Sequence, residues 1–412
     1  MRITVEFSDV LNGVQVWSGL FDCELRDLLK VEGHIAKTIA EAFILTTAAG
    51  KDISLPTRVM VASEAHCMYL KGRALAMKRG RLLFPALQHF QKAIEGDPDY
   101  ALAWAGVAEV CCLLGYYGLV RPDQYRQRAL SAAERAVEID PQSAEAHDAL
   151  ACSLLLYQGD PHRADLEFQK ALELNPGHSQ ARCLRALLYL QLTCGRHDEA
   201  IAEVRRALNS DPHSPYVKTI LGICLGIAGQ HDKALSLLRM AVNADSEALL
   251  ARHALAYTLY WAGKFDEAAS VIEGAGRMSG YSGFGATMLV MARARLGRLI
   301  ESQRLLGELQ QRASSQYVAF TNLAEASFAI GDWADAVALA RRALEDREPQ
   351  FLIYARHAPR FAWLREETGW PAMLRQLETE PAQAERIDAM EFVARVLVQI
   401  PAPRLYSVRY YG

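Results

Sequence analysis

Residues 229–275 read GQHDKALSLLRMAVNADSEALLARHALAYTLYWAGKFDEAASVIEGA, and their spacing recurs along the chain. Gly229 and Gly263 stand 34 residues apart, and Ala234 and Ala268 follow each of them by five positions. The same interval continues through Gly297 and Gly331, with Ser302 and Ala336 at the small position and Ala241, Ala275, Leu309 and Ala343 seven residues later. A fixed period of about 34 residues is typical of helix–turn–helix units stacked into a solenoid.

The ladder extends towards the N-terminus with insertions. Glycine ends a first helix in a left-handed conformation, a small residue lets the second helix pack closely, and an Asp-Pro pair separates units. These elements recur at Gly80, Gly115, Gly159 and Gly195, at Ala86, Ala129, Ala164 and Ala200, and at Asp97-Pro98, Asp140-Pro141, Asn175-Pro176 and Asp211-Pro212. They predict eight units, at 67–100, 101–143, 144–178, 179–214, 215–248, 249–282, 283–316 and 317–350.

Composition excludes several function classes. The 412 residues carry 45 Lys and Arg against 48 Asp and Glu, a net charge of -3. This balance predicts neither a nucleic-acid partner, which requires a basic surface, nor binding to an anionic membrane. The N-terminal residues lack a signal-peptide pattern, and no apolar run approaches the ~18 residues of a membrane span. The eight cysteines form no C-x-x-C pair, and we interpret most as buried apolar residues of a cytoplasmic protein.

The segments that flank the ladder differ from it. Residues 1–66 predict a β-hairpin around Leu11-Asn12-Gly13 and then an amphipathic helix from Glu24 to Phe43. Residues 351–378 repeat the apolar pattern without the closing elements, and we interpret them as capping helices that cover the last apolar face.

Residues 67–350 resemble tetratricopeptide repeats. Lys71-Gly72-Arg73, followed by Ala86, Phe90 and Asp97-Pro98, is similar to the opening repeat of one bacterial branch. In that branch the repeats follow a class III adenylate cyclase domain or a winged-helix DNA-binding domain. A small α/β domain similar to the TolB N-terminal domain lies between them. The resemblance implies an all-α solenoid with a right-handed superhelical path.

Residues 1–66 resemble the end of that small α/β domain. The matching stretches are Asn12–Ser18 and Asp27–Leu29, with Val16 where the family has Leu. The resemblance implies a truncated hairpin-plus-helix remnant, with the cyclase or DNA-binding module absent. The last segment, 379–412, resembles a piece of the transposases of insertion sequences without their catalytic part, and the alternative is an idiosyncratic C-terminal helix and tail.

No residue pattern predicts catalysis. The eleven histidines do not form a His-Glu-x-x-His pair, and no Ser occupies a Gly-x-Ser-x-Gly elbow. The glycines from Gly274 to Gly285 lie between helical units and therefore favour a loose turn over a dinucleotide fingerprint. The sequence thus predicts no enzyme, no metal site and no cofactor.

The first helices of such units line the concave face, where these arrays usually bind peptides. Aromatic side chains concentrate there in units five to seven, and aromatics contribute strongly to interfaces. The alternative is that some of them pack between units. Lys, Arg and Asn are absent from the corresponding inner positions, including Ala105, Asp148 and His253, so a clamp for a C-terminal carboxylate is not predicted. The predicted partner-binding groove comprises Tyr216, Thr219, Ile223, His253, Tyr257, Tyr260, Trp261, Phe284, Thr287 and Met291.

Taken alone, the sequence favours a non-enzymatic scaffold that binds a protein or peptide in bacterial signalling or transcription control. The alternative is a remnant of a class III adenylate cyclase or winged-helix regulator that lacks its output domain. A third interpretation is a homodimer formed through the exposed edge of the N-terminal hairpin, because an unpaired strand edge can pair with another strand.

Overall fold

The computed structural model describes residues 2–8, 15–22, 64–245, 248–279 and 283–378. From residue 64 onwards the described part of the chain is an all-α solenoid of paired helices. The first helices of successive units are Glu64–Lys78, Ala101–Tyr116, Ala144–Ser153, Ser179–Leu184, Pro215–Ile227, Leu249–Trp261, Gly283–Arg295 and Phe320–Ala329. The second helices are Leu83–Gly96, Pro122–Ile139, Pro161–Leu174, His197–Ser210, His231–Ala244, Phe265–Ser279, Leu299–Ala313 and Trp333–Glu345.

Shorter helical segments complete the array. In units three and four the first helices widen into π-helical turns, Leu154–Gln158 and Arg185–Thr193, and a 3₁₀ turn covers Gly80–Leu82. The C-terminal segment, residues 349–378, contains Pro349–Tyr354, the 3₁₀ turn Pro359–Phe361, Ala362–Arg365 and Trp370–Glu378.

The 34-residue ladder has the structural roles that the sequence predicts. The small residues that open the second helices have no exposed surface, because each lies where its helix approaches the first helix of the same unit. The turn glycines adopt the left-handed conformation, with φ between 60° and 88°. Gly115 is an exception to the prediction, because it lies inside Ala101–Tyr116, and Gly118 makes the left-handed turn with φ 61°. The insertion in unit two therefore lengthens the first helix before the turn.

Two strands precede the solenoid. Arg2–Ser8 and Gln15–Asp22 pair antiparallel, with Arg2 opposite Asp22 and Phe7 opposite Trp17. The predicted turn at residues 11–13 and the predicted helix at residues 24–43 lie outside the described residues, as does the tail at residues 379–412. The hairpin-plus-helix remnant therefore stays a prediction.

The superhelix is wound tightly enough for distant units to meet. A Cβ built on Gly80, between the helices of the first unit, would lie 3.1 Å from Leu249 Cδ2 in the sixth. The C-terminal segment crosses the interior, where the Tyr354 hydroxyl hydrogen-bonds with the Tyr116 hydroxyl of the second unit. Just before that segment, Arg347 Nη2 donates to the Gln158 carbonyl at 3.2 Å. The inner face is thus enclosed by the chain itself.

Candidate functional site

Six of the ten predicted groove residues line cavities on the inner face, namely Tyr216, Ile223, His253, Tyr257, Trp261 and Phe284. The other four, Thr219, Tyr260, Thr287 and Met291, line neither of these cavities. His253 stacks on Phe284 with ring centroids 5.4 Å apart. Tyr257 lies 5.2 Å from the Phe284 ring and 5.8 Å from the Trp261 ring. The buried members are Thr219, His253, Tyr257, Phe284, Thr287 and Met291, and the half-buried members are Tyr216, Ile223, Tyr260 and Trp261.

The C-terminal segment covers this aromatic group. The guanidinium carbon of Arg360 lies 5.1 Å from the Tyr257 ring centroid, 4.7 Å from that of Phe284 and 4.6 Å from that of Tyr354. Cations are attracted to aromatic faces at such distances. The expectation of an open aromatic surface here therefore needs correction, because Arg360 and Tyr354 of the same chain occupy it. The role of these residues in partner binding stays a prediction.

A carboxylate neutralises the buried Arg360. Its Nε donates to Glu325 Oε1 at 2.7 Å and its Nη2 donates to Glu325 Oε2, with both side chains almost fully buried. Burial raises the pKa of Glu325, and the Arg360 guanidinium opposes that shift. A buried charge is tolerated only when it is paired in this way. These two buried opposite charges of the C-terminal half are therefore paired with each other.

The N-terminal half of the inner face is different, because it contains a cavity of about 80 Å³. First helices of the first six units contribute to its wall. The wall is largely apolar, with Leu102, Leu113, Leu156, Leu184, Leu187, Leu188, Ile220 and Leu250. Four tyrosines also line it, Tyr69, Tyr116, Tyr117 and Tyr216. The charged and polar residues of the wall are Arg73, Arg79, Glu109, Glu145, Asp148, His178 and Gln180. An apolar wall with a few converging polar groups is typical of ligand sites.

Glu109 organises the cations of this cavity. Its Oε2 accepts from Arg73 Nη1 at 3.3 Å, its Oε1 accepts from Gln180 Nε2 at 3.2 Å, and Arg79 Nη1 lies 3.6 Å from Oε1. Arg79 adopts a φ of 62°. A left-handed backbone costs a residue other than glycine about 1–2 kcal/mol. The strained residue stands at the turn before Gly80, and its guanidinium lines the cavity. Strained backbone of this kind clusters at functional sites.

One carboxylate oxygen of Asp148 is buried at the cavity wall without a hydrogen bond. The side chain is buried, and the oxygen without a hydrogen bond is Oδ1. Burial raises the pKa of Asp148 well above its ordinary value, and the nearby Glu109 carboxylate raises it further. His178, on the same wall, is also affected by burial, which lowers its pKa. A buried polar group without a partner is costly, so such a group at a cavity wall requires an explanation.

The sequence contained a signal for this site. Asp148 occupies an inner position of a first helix, where an ionisable residue would be expensive unless something binds it. Among the predicted groove residues, Tyr216 lines this cavity. A smaller cavity of about 50 Å³, lined by His253, Tyr257 and Trp261, shares Tyr116, Tyr117 and Leu250 with the larger one. The predicted aromatic group therefore adjoins the N-terminal cavity.

Within the described residues, no group of three or more His, Cys, Asp or Glu side chains could hold a metal ion. No helix of the same residues is long and apolar enough to cross a membrane. Burial raises the pKa of the inner thiols, to about 12 for Cys111 and Cys183, so these cysteines remain protonated and act as apolar packing.

Known proteins resemble this chain in sequence and in fold. Residues 149–215 match the family model described as tetratricopeptide repeat. A region of 157 residues, 37% of this chain, is 25% identical to a candidate adenylate cyclase, numbered 3, of Rhizobium meliloti (strain 1021). That region spans 27% of the length of the Rhizobium protein.

Two solved structures illustrate the similarity in fold. A thermophilic tetratricopeptide protein of Thermus thermophilus is 19% identical with a TM-score of 0.39, over 48% of this chain and 99% of that one. The human IFIT1 dimer with PPP-AAAA is 18% identical with a TM-score of 0.49, over 77% of this chain and 81% of that one.

Proposed function

Because the chain carries tetratricopeptide repeats, we propose that it is a non-enzymatic scaffold that binds a protein or peptide partner in its concave interior. The observation that carries this proposal is the largely apolar cavity on the inner face of the N-terminal half. Its setting would be bacterial signalling or transcription control in the cytoplasm, as the family resemblance implies. Nucleic acid is not part of the proposal, since the chain has a net charge of -3.

The cavity wall supports the proposal through its chemistry. Leucines and tyrosines from successive first helices provide apolar area, and the tyrosines add hydroxyl groups that can hydrogen-bond to a partner's backbone. Large side chains inserted into such preformed pockets supply most of the affinity of many interfaces. The partner would insert one or two anchor side chains past Tyr216 and Tyr69.

The predicted aromatic groove enters this proposal as a second contact region. Trp261 and Tyr257 line the smaller adjoining cavity, which Tyr354 and Arg360 close on the C-terminal side. A partner seated in the N-terminal cavity would reach these aromatics only along the shared wall formed by Tyr116 and Tyr117.

Binding to peptide libraries tests the proposal. Acetylated, amidated hexapeptide libraries with one fixed position would be titrated against the full chain by fluorescence anisotropy. We expect a selected set to bind, and Tyr216→Ala to weaken that set about tenfold, since interface tyrosines commonly contribute more than about 1 kcal/mol. The control is Leu166→Ala, because Leu166 is half-exposed on a second helix and away from the cavity. Equal affinities for the two variants would contradict the cavity assignment.

A second candidate function follows from the Rhizobium alignment. The repeats would then be the regulatory part of a class III adenylate cyclase or of a winged-helix regulator. The 157 aligned residues of a candidate cyclase favour this alternative. Sequencing the genomic DNA upstream of the Met1 codon tests it, since a cyclase or winged-helix segment there in any frame supports this alternative.

Dimerisation through the N-terminal strands is a separate proposal. Light scattering of the full chain would be compared with that of a shortened chain beginning at Ala62. We expect a dimer for the former and a monomer for the latter, and an identical mass per particle in both would contradict pairing through the strand edge.

A further inference from the structure

We propose that the N-terminal cavity takes a cationic side chain, an arginine or a lysine of the partner, with the Asp148 carboxylate as its counter-ion. This inference rests on the proposed function and names the chemistry of the partner's anchor. Three observations support it: the position of Asp148, the charged groups that line the cavity, and the Glu325–Arg360 pair in the other half of the interior.

Asp148 differs from His147, the residue before it on the same helix, in its hydrogen bonds. His147 Nδ1 lies 2.6 Å from Glu167 Oε2, and its Nε2 lies 3.1 Å from the Pro141 carbonyl oxygen. Asp148 is 5% exposed and its Oδ1 has no hydrogen-bond partner. Both side chains are buried, so the helix satisfies His147 and leaves Oδ1 of Asp148 without a hydrogen bond.

The charges around the cavity leave room for one more cation. The carboxylates on its wall are Glu109, Glu145 and Asp148, and the guanidinium groups are Arg73 and Arg79. Both guanidinium groups lie against Glu109, at 3.3 Å and 3.6 Å. Three carboxylates therefore share the wall with two guanidinium groups, and both guanidinium groups are placed against Glu109.

The C-terminal half contains the filled arrangement. Glu325 lies on the first helix of unit eight, as Asp148 lies on that of unit three, and Arg360 inserts against it. The guanidinium is enclosed by the rings of Tyr257, Phe284 and Tyr354. In the N-terminal cavity a carboxylate and four tyrosines are likewise present, and the two guanidinium groups of the wall, Arg73 and Arg79, lie against Glu109. The same interior thus already holds an arginine side chain of this protein.

The shape of the cavity suits a long cationic side chain. Leu113, Leu156 and Leu187 line the wall that also bears Asp148. Lysine and arginine place their methylene stems along apolar surface and keep the charged end on a polar group. A free amine would satisfy the carboxylate but leave most of the apolar wall unused, so we commit to a side chain of a protein or peptide.

The test uses four hexapeptide libraries, acetylated and amidated, with Arg, Lys, Gln or Glu fixed at one position. Each is titrated against the full chain and against Asp148→Asn, which removes the charge and keeps the size. The matched control is Asp99→Asn, because Asp99 is highly exposed and pairs only with Arg135 at the surface. Asp148→Ala, checked by circular dichroism, serves as a second variant of the same position.

We expect the Arg and Lys libraries to bind the unmodified chain at least tenfold more tightly than the Gln library, and the Glu library to bind weakest. Charge-assisted pairs away from solvent support such a ratio. In Asp148→Asn and Asp148→Ala the preference for a cation should fall below threefold, whereas Asp99→Asn should retain it.

The failures are distinguishable. Equal binding of the Arg and Gln libraries to the unmodified chain would overturn the inference and leave the proposed function standing. A cation preference that survives in both Asp148 variants would place the cation elsewhere and overturn the inference as well. Binding of none of the libraries would contradict the proposed function together with the inference. L-arginine amide binding as tightly as the Arg library would assign the site to a small amine and overturn the commitment to a partner's side chain.

Discussion

The two halves of the solenoid differ in how they treat an ionisable residue in their interior. In the C-terminal half, Glu325 is bound by Arg360, and aromatic rings enclose the pair. In the N-terminal half, Asp148 faces a cavity of about 80 Å³, and its Oδ1 has no hydrogen-bond partner. The repeats that build the two halves follow one pattern, so the difference comes from what the chain places inside them.

This difference identifies the half that is available to a partner. Buried polar groups are normally hydrogen-bonded. A buried carboxylate oxygen that has no hydrogen bond within the protein is therefore a candidate to bind a group of a partner. A partner of the C-terminal half would have to displace the buried Arg360 and Tyr354 first. A partner of the N-terminal half would meet a preformed space.

Removing the filling of the C-terminal half should have the largest effect. Arg360→Met leaves Glu325 buried without a counter-charge, and we expect a loss of about 3–5 kcal/mol in the free energy of unfolding. The double variant Arg360→Met/Glu325→Leu should recover most of that loss, because it replaces the pair with apolar groups. Urea denaturation followed by circular dichroism measures both. A single variant within about 1 kcal/mol of the unmodified chain would mean that the halves do not differ in this way.

Acidification should weaken the C-terminal half through His253. Burial lowers the pKa of His253 to about 4, against an ordinary value of 6.5. Between these values the unfolded chain binds a proton that the folded chain does not, so stability falls as the pH decreases through that window. We expect a contribution on the order of 3 kcal/mol over the window, and His253→Leu should remove it. Unfolding curves at pH 7, 5.5 and 4.5 test this, and identical pH slopes for the two chains would contradict a buried neutral His253.

Neutralising Asp148 should stabilise the N-terminal half in the absence of a partner. Because the pKa of Asp148 is raised in the folded state, its contribution to stability falls as the pH rises above the ordinary value of 3.8. At pH 7, Asp148→Asn should therefore raise the free energy of unfolding, because the amide has no charge whose burial must be compensated. Thermal unfolding at pH 7 and pH 4 measures the gain, which should shrink at the lower pH. A destabilised Asp148→Asn at both values would indicate an intramolecular role for the carboxylate.

The smallest expected effect concerns the link between the halves. The hydroxyl groups of Tyr116 and Tyr354 hydrogen-bond across the interior, and such a bond contributes about 0.5–1.5 kcal/mol. Tyr116→Phe and Tyr354→Phe should each cost about that amount, and the double variant should cost little more than either. A double-mutant cycle gives the coupling energy, and fully additive losses would mean that the two hydroxyl groups do not interact.

The repeat architecture could be predicted from the sequence because each repeated residue is needed for local backbone geometry or for close helix packing. Gly229 is left-handed at its turn, and Ala234 is fully buried where two helices approach. The sequence also places His253, Tyr257 and Phe284 together on the inner face, since helix periodicity determines which side a residue occupies.

Sequence reasoning did not reveal which part of the inner face is filled. Arg360 reaches Tyr257, which is about a hundred positions earlier, because the superhelix closes on itself. That closure depends on the summed rotation between units, which no local pattern encodes. The turn of unit two was misplaced at Gly115 because the insertion there moved it to Gly118. The sequence places the Asp148 carboxylate on the inner face. Only the structure shows that Arg73 binds Glu109 and that Asp148 Oδ1 is left without a hydrogen bond.

The most direct test of the account is a crystal structure of the full chain with a peptide from the arginine-fixed library. The account predicts an arginine side chain in the N-terminal cavity with its guanidinium within hydrogen-bond distance of the Asp148 carboxylate, and Arg360 still paired with Glu325. A peptide bound against Tyr257 and Phe284 in place of Arg360, with the N-terminal cavity unchanged, would contradict it.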